Sequence, residues 1–280
     1  MREVVLSHRL EALCRMVTPG KSVVDVGCDH GFVSIYLVQK GISPRVLAMD
    51  VRKGPLSRAQ EHVAEYGLED YIETRLSDGL LEFQDGETQS LVCAGMGGRL
   101  MTRILTDSFE KVRRLDELIL QPQSELPEFR RFLKTAGFKL LDEQILCEEG
   151  KYYFLMKVKY CKAVEPELAC TETIGTPDKP VRPVDSVEDS AEGYTEDCTE
   201  GRTGGGVSRE RILSVDLTER YGELLLQRRE PVLKEFLEES YANLQQIEAV
   251  LMANDKERAR NRLEEIRAEL GYLKQALALF

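Results

Sequence analysis

Carboxylates placed where apolar runs give way to glycine turns are the residues with most chemistry to offer in this chain. The first run is Val23-Val24-Asp25-Val26-Gly27-Cys28-Asp29-His30-Gly31, followed by Phe32-Val33-Ser34-Ile35-Tyr36-Leu37-Val38, which suits a helix. A buried strand that breaks at glycines and opens a helix is the first half of a nucleotide-binding α/β unit. Gly27 is wanted in such a turn because a Cβ would keep a ligand off the backbone. The spacing is Asp-x-Gly-x-x-x-Gly rather than Gly-x-Gly-x-x-Gly, so the turn is a poor pyrophosphate cradle. An acid within it favours a ligand bearing positive charge. S-adenosylmethionine, with an ammonium and a sulfonium, meets that demand. For Asp25 the plain structural alternative is a favourable charge at a helix N-terminus.

Asp50 closes a second apolar run, residues 45–50, about 20 residues beyond the glycine turn. Mononucleotide-binding units place an acid there to accept hydrogen bonds from ribose hydroxyls. The alternative for Asp50 is a strand-end cap.

These residues need a strand–helix frame, and the pattern supplies one. Residues 4–17 read as an amphipathic helix with Leu6, Leu10, Leu13 and Val17 on one face. Strands are expected at 23–26, 45–50, 71–76, 91–94 and 117–121, with a helix from Gly54-Pro55 to Tyr66 and another ending at Thr135. Residues 138–147 and 151–159 read as a terminal hairpin. Five strands alternating with helices, then a hairpin, is the rhythm of an α/β, doubly wound sheet with an antiparallel edge. From Leu217 the pattern is helical to Phe280, with Pro231 expected to kink or restart the helix. Leu233, Leu237, Leu244, Ile247 and Leu251, then Leu263, Ile266, Leu270, Leu273, Leu277 and Phe280, form two stripes about an Asn254-Asp255 turn. Such stripes describe an antiparallel helical hairpin of coiled-coil type, roughly 30 Å long at 1.5 Å per residue.

Composition bounds the rest. The 280 residues carry a net charge of −11, which argues against indiscriminate nucleic-acid binding. Residues 161–210 hold 12 acids and 5 bases, a net −7 that leaves −4 for everything else, so a local basic patch remains possible. That segment has few large apolar residues and is expected to be disordered or a mobile insertion. The domain organisation is therefore read as 1–160, an acidic insertion at 161–210, and a helical arm at 211–280. Seven cysteines without a Cys-x-x-Cys pair suggest reduced thiols, with neither a zinc site nor a disulfide framework. No signal peptide or 18-residue apolar run is present, so a soluble, cytoplasmic protein with no membrane partner is expected.

With these motifs in order, the chain resembles the bacterial tRNA adenine N1-methyltransferases that modify adenine 22. The matching pieces are Leu6-Ser7-His8-Arg9-Leu10, Asp25-Val26-Gly27-Cys28-Asp29-His30-Gly31, Gly54-Pro55-Leu56, Asp78-Gly79-Leu80, Ala94-Gly95-Met96-Gly97-Gly98, Ile119-Leu120-Gln121-Pro122-Gln123 and Gly150-Lys151-Tyr152-Tyr153. The resemblance covers about 1–160 and resumes near Tyr221-Gly222; the long acidic segment is a departure. It implies a class I methyltransferase (Rossmann-like) fold, S-adenosylmethionine as donor, tRNA as partner and a C-terminal coiled-coil appendage. Oligomeric state is left open, with a monomer favoured.

On that reading Asp25 and Gly27 line the methionine part of the cofactor, Asp50 the ribose, and Ser77, Asp78 and Gly79 the adenine ring, with Ala94 and Gly95 completing the contacts. Ser77-Asp78-Gly79 could instead be a simple turn. Adenine N1 already carries a lone pair, so catalysis should rest on in-line positioning, which supplies roughly 7–11 kcal/mol. Asp29 is counted among the cofactor contacts and is also assigned to the cationic ring formed on transfer. His30 either relays a proton or makes an orienting hydrogen bond. Met96, Gly97 and Gly98 let a flat base approach, in place of the absent Asn/Asp-Pro-Pro-Tyr clamp. Their alternative is a flexible turn before a helix.

Arg9, Arg99, Arg103, Lys111, Arg113, Arg114, Arg130 and Arg131 are read either as a phosphate-binding rim or as an ordinary solvated face among interspersed acids. Arg258, Arg260, Arg262 and Arg267 leave the arm equally open: it grips tRNA, or it packs on the catalytic domain or a second copy. Three other readings compete. One is a methyltransferase acting on another nucleic acid or a small molecule. A second is a nicotinamide oxidoreductase, against which the missing Gly-x-Gly-x-x-Gly counts. The third is a non-enzymatic module that holds a partner with its arm.

Overall fold

The computed structural model describes residues 3–161, 214–253 and 257–280. The expectations for the acidic insertion beyond Cys161, and for the Asn254-Asp255 turn, lie outside the described residues. The elements run α1 (His8–Arg15), β1 (Val23–Val26), α2 (Phe32–Gln39), β2 (Val46–Asp50), α3 (Lys53–Glu65), β3 (Ile72–Leu76), β4 (Ser90–Met96), α4 (Gly98–Asp107), α5 (Phe109–Val112), β5 (Glu117–Pro122), α6 (Leu126–Thr135), β6 (Phe138–Glu148) and β7 (Lys151–Tyr160). Four helices follow: α7 (Val215–Tyr221), α8 (Glu223–Arg228), α9 (Pro231–Met252) and α10 (Glu257–Leu277).

The seven strands form one sheet in the order β3-β2-β1-β4-β5-β7-β6. The first five are parallel, and β7 joins β5 and β6 antiparallel. This is the Rossmann-like sheet with an antiparallel edge that the rhythm of the sequence implies. Runs of β-branched and apolar residues make β1, β2 and β5 strands buried on both faces, as parallel strands between helices must be. Alternate residues serve opposite cores: Val24, Val26 and Met49 face one, Val23, Val46 and Ala48 the other.

Three boundaries differ from expectation, each for a physical reason. Residues 4–7 do not join α1, because the buried Val4 donates its N–H to Gln39 Oε1 (2.9 Å) and Ser7 stays extended. β4 does not break at Gly95; a bulge there lets Met96 resume pairing with Pro122. The C-terminal helix is interrupted at Gly222 as well as restarted at Pro231.

That interruption is held by a buried ion pair. Arg130 Nε donates to Glu143 Oε1 (2.9 Å), and its Nη1 donates to the carbonyls of Glu219 (3.0 Å) and Arg220 (2.9 Å) at the end of α7. Leu217, Tyr221, Leu225, Leu226, Leu233 and Leu237 then enter the same apolar core as β1, β4 and β5. At about 1.5–3 kcal/mol for each fully buried large side chain, this root is part of what holds the fold. α9 and α10 pack together, with Arg267 Nε 2.9 Å from Glu248 Oε1. The stripe expected on α9 is only partly buried: Leu233 and Leu237 are covered, Leu244 and Leu251 are half-buried, and Ile247 is exposed. Among the described residues no helix is long and apolar enough to cross a membrane.

Candidate active site

The carboxyl ends of β1 to β4 open on a cavity of about 700 Å³. Thirteen residues expected at a site line it: Arg9, Asp25, Gly27, Asp29, His30, Asp50, Ser77, Asp78, Gly79, Ala94, Gly95, Met96 and Arg103. Strand-end acids and glycine turns from four separate stretches of sequence therefore meet in one place, as open α/β sheets arrange their ligand sites.

Asp25 stands on β1 with both neighbouring strands against it, and its carboxylate accepts a hydrogen bond from Ser34 Oγ at 2.7 Å, supported by the Ser34 backbone. Burial pushes this carboxyl up to about 6, against the pull of the Ser34 hydroxyl and with help from the nearby Asp50 charge. Asp50 is also buried, at the end of β2. It accepts hydrogen bonds from the backbone N–H groups of Arg52 (2.8 Å) and Asp29 (3.3 Å), and Arg52 Nε lies 3.8 Å away.

Gly27 has φ +78°, and a Cβ added there would collide with the methyl end of Met96. Only glycine combines that backbone with that close approach. Asp29 is one of four described non-glycine residues in the left-handed region, at φ +48°, a conformation that persists where the surrounding turn enforces it. Its carboxylate side chain is 59% exposed and sits 3.6 Å from His30 Nε2.

On the far wall Asp78 is engaged by Arg103, whose two terminal nitrogens lie 2.9 and 3.2 Å from its oxygens. Arg9 reaches in from α1: its Nη1 donates to Gln121 Oε1 at 2.7 Å, and its guanidinium lies 4.8 Å from the Tyr153 ring centre. Burial raises the Cys28 thiol and pushes that of Cys93 up to about 12, so both are protonated thiols beside the acids.

Other expectations are corrected by position. Gly97, Gly98 and Arg99 do not line the cavity. A Cβ on Gly98 would stand 2.6 Å from the Ser124 carbonyl oxygen, so the glycine admits the turn after β5, not a base. Arg99 points into solvent and pairs with Glu125 at 3.4 Å. Arg130 is buried against Glu143 and cannot belong to a phosphate rim. Lys111 donates to the Leu80 and Leu81 carbonyls, Arg113 and Arg114 pair with Glu110 and Asp85, and Arg131 pairs with Glu219. Exposed pairs of this kind are worth about 0–1 kcal/mol and read as a solvated face. Conversely, Phe32, Leu100, Ile104 and Gln123 line the cavity without having been singled out for chemistry. Gln123 alone left a sequence signal, in Gln121-Pro122-Gln123; its N–H donates to the Met96 carbonyl at 2.8 Å.

Comparison with known proteins gives the family and the fold. Residues 6–156 match the family described as methyltransferase domain. The tRNA (adenine(22)-N(1))-methyltransferase of Bacillus subtilis is 34% identical over 153 residues, 55% of this chain. The match spans 64% of that protein, just under two thirds of its length. The crystal structure of the B. subtilis m1A22 tRNA methyltransferase TrmK superposes with a TM-score of 0.72, covering 98% of this chain and 100% of that one at 23% identity. Mycoplasma capricolum TrmK, solved with S-adenosyl-homocysteine, gives 0.68 over 98% of each chain at 19% identity. At those identities the two structures speak for the fold, which here extends through the C-terminal helices. With the family match over more than half its length, the chain belongs to the methyltransferase domain family.

Proposed function

We propose that this chain transfers a methyl group from S-adenosylmethionine to N1 of an adenine in tRNA, adenine 22. One observation carries the reading: two buried acids, Asp25 and Asp50, converge with a glycine turn on a single cavity at the carboxyl ends of the strands. The likeness to the B. subtilis enzyme supports the choice of substrate. The donor fits the residues present, since a cationic ligand offsets the cost of holding Asp25 ionised where burial opposes it. A pyrophosphate would add charge of the wrong sign.

When bound, the donor supplies a methyl group on a positively charged sulfur. Asp50 would accept hydrogen bonds from ribose hydroxyls while its own backbone donors keep it in place. Asp25 and Gly27 would hold the methionine end. Ser77, Asp78 and Gly79 would take the adenine ring, with Arg103 fixing Asp78, and Ala94 and Gly95 would close the floor. Adenine N1 brings its own lone pair, so these residues need not remove a proton before attack. Their task is alignment. Asp29, at the exposed end, would face the positive charge that the methylated ring acquires, and His30 at 3.6 Å orients that carboxylate or passes on a proton. Met96 would pack on the base and Arg9 would meet its flanking backbone.

We read residues 1–160 as the cofactor domain, 161–210 as an acidic insertion and 211–280 as a helical arm of coiled-coil type, in a cytoplasmic monomer. Incubation with tritium-labelled donor and bulk tRNA from cells lacking this gene tests the activity. Label in 1-methyladenine is expected, and tRNA left unlabelled refutes the reading.

A further inference from the structure

Phe32 and His62 carry no role in the chemistry above; Phe32 lines the cavity with His30, and His62 packs beside both rings. Phe32 opens α2 and remains 36% exposed although it is large and apolar. His62 comes from α3, thirty residues later. Gly31 brings the two together: a Cβ there would lie 3.1 Å from that of Ala59, so the turn and α3 approach more closely than a side chain would allow. One helical turn beyond Ala59, His62 Nδ1 donates to the His30 carbonyl at 2.9 Å. The result is three nearly parallel rings. Phe32 and His62 have centroids 4.6 Å apart at 21°, and His30 lies 5.9 Å from each, at 18° to Phe32 and 34° to His62.

A base drawn out of an RNA stack loses the contacts of its neighbours. An aromatic face returns a stacking partner and tolerates any sequence, because every base has a π-face. Aliphatic side chains would cover similar area without offering a flat surface. His30 and Phe32 both line the cavity, and His30 adjoins the Asp29 carboxylate, so a base stacked here has its edge beside the acids.

We propose that His30, Phe32 and His62 form a stacking platform for the target adenine, with Phe32 as the principal face and His62 as the positioning residue that fixes it. This rests on the tRNA reading above. The test uses the full chain and a tRNA carrying 2-aminopurine at the target position for emission, with unmodified tRNA for kinetics. Phe32→Leu is expected to raise the KM for tRNA on the order of ten-fold, to leave the Kd for S-adenosylmethionine within two-fold, and to brighten the bound 2-aminopurine. Phe32→Tyr should restore all three values, and His62→Leu should reproduce part of the loss. Unchanged KM and emission in Phe32→Leu would overturn the platform while leaving the activity standing. A cofactor Kd that shifts as much as the KM would overturn it too, by placing Phe32 against the donor. If the wild-type chain methylates no tRNA, the functional reading fails first and the platform with it.

Discussion

Two buried carboxylates at opposite ends of the same sheet have opposite surroundings. Glu117, at the start of β5, is 2% exposed and surrounded by partners. It accepts from the Thr18 N–H (2.8 Å), the Thr18 hydroxyl (2.5 Å) and the Ser90 hydroxyl (3.0 Å), and it pairs with Lys157 at 3.0 Å. Burial works against its ionisation, yet Thr18 and Lys157 overcome it and hold Glu117 below the ordinary value. Asp25, at the other end, is hydrogen-bonded by the Ser34 hydroxyl and backbone, pairs with no cation among the described residues, and is pushed up to about 6. One acid is thus a satisfied structural charge, and the other, more deeply buried, is a charge with few partners. The second arrangement costs stability and is understandable only if something else completes it.

Removing either acid should separate the two roles, and the largest effect falls on the structural one. Glu117→Ala leaves Lys157 with the Met16 carbonyl and Thr18 hydroxyl but no counter-charge and should cost about 3–5 kcal/mol, read as a drop in Tm, while the cofactor Kd of the folded protein stays within two-fold. If the affinity collapsed with the stability, the division of labour drawn here would be wrong.

Next comes a pH effect with a definite sign. A carboxyl raised in the folded state binds more protons there than when unfolded. Asp25 should therefore lower stability as pH rises from about 4 to about 6, by up to roughly 3 kcal/mol, with no further loss above. Chemical denaturation across that range should show this slope in the wild type and not in Asp25→Asn. Matching slopes would mean that Asp25 is better partnered than its surroundings imply.

Asp50→Ala should weaken S-adenosylmethionine binding on the order of a hundred-fold, since charge-assisted hydrogen bonds contribute about 1.5–3 kcal/mol each. Calorimetry with the donor, and with a nicotinamide dinucleotide as contrast, measures it. The smallest effect belongs to Asp29. As an exposed carboxylate it works through solvent-screened charge, so Asp29→Ala should lower kcat about ten-fold and leave cofactor affinity within a few-fold. Equal losses in both would assign Asp29 to the donor instead.

Much of this layout was legible in the residues because local chemistry dictates it. Apolar β-branched runs ending in acid and glycine identified β1 and β2, and Pro231 marked the start of α9. What stayed hidden depended on partners remote in sequence. Arg130 looks like any surface cation until Glu143 folds against it, and His62 looks like a helix residue until Gly31 lets α3 close in. Gly97 and Gly98 invite a ligand on paper, whereas Ser124 and Glu125 occupy the space they leave. Gly95 reads as the end of a strand because composition alone does not distinguish a bulge from a turn.

The claim on which everything turns is that this acidic cavity delivers a methyl group to one nitrogen of one adenine. Incubating the full chain with isotopically labelled donor and a tRNA transcript, then locating the modified nucleotide by digestion and mass spectrometry, examines it directly. The account predicts a single 1-methyladenine at position 22, lost when that adenine is replaced. Label at another atom or another nucleotide, or no transfer despite tight donor binding, would contradict it.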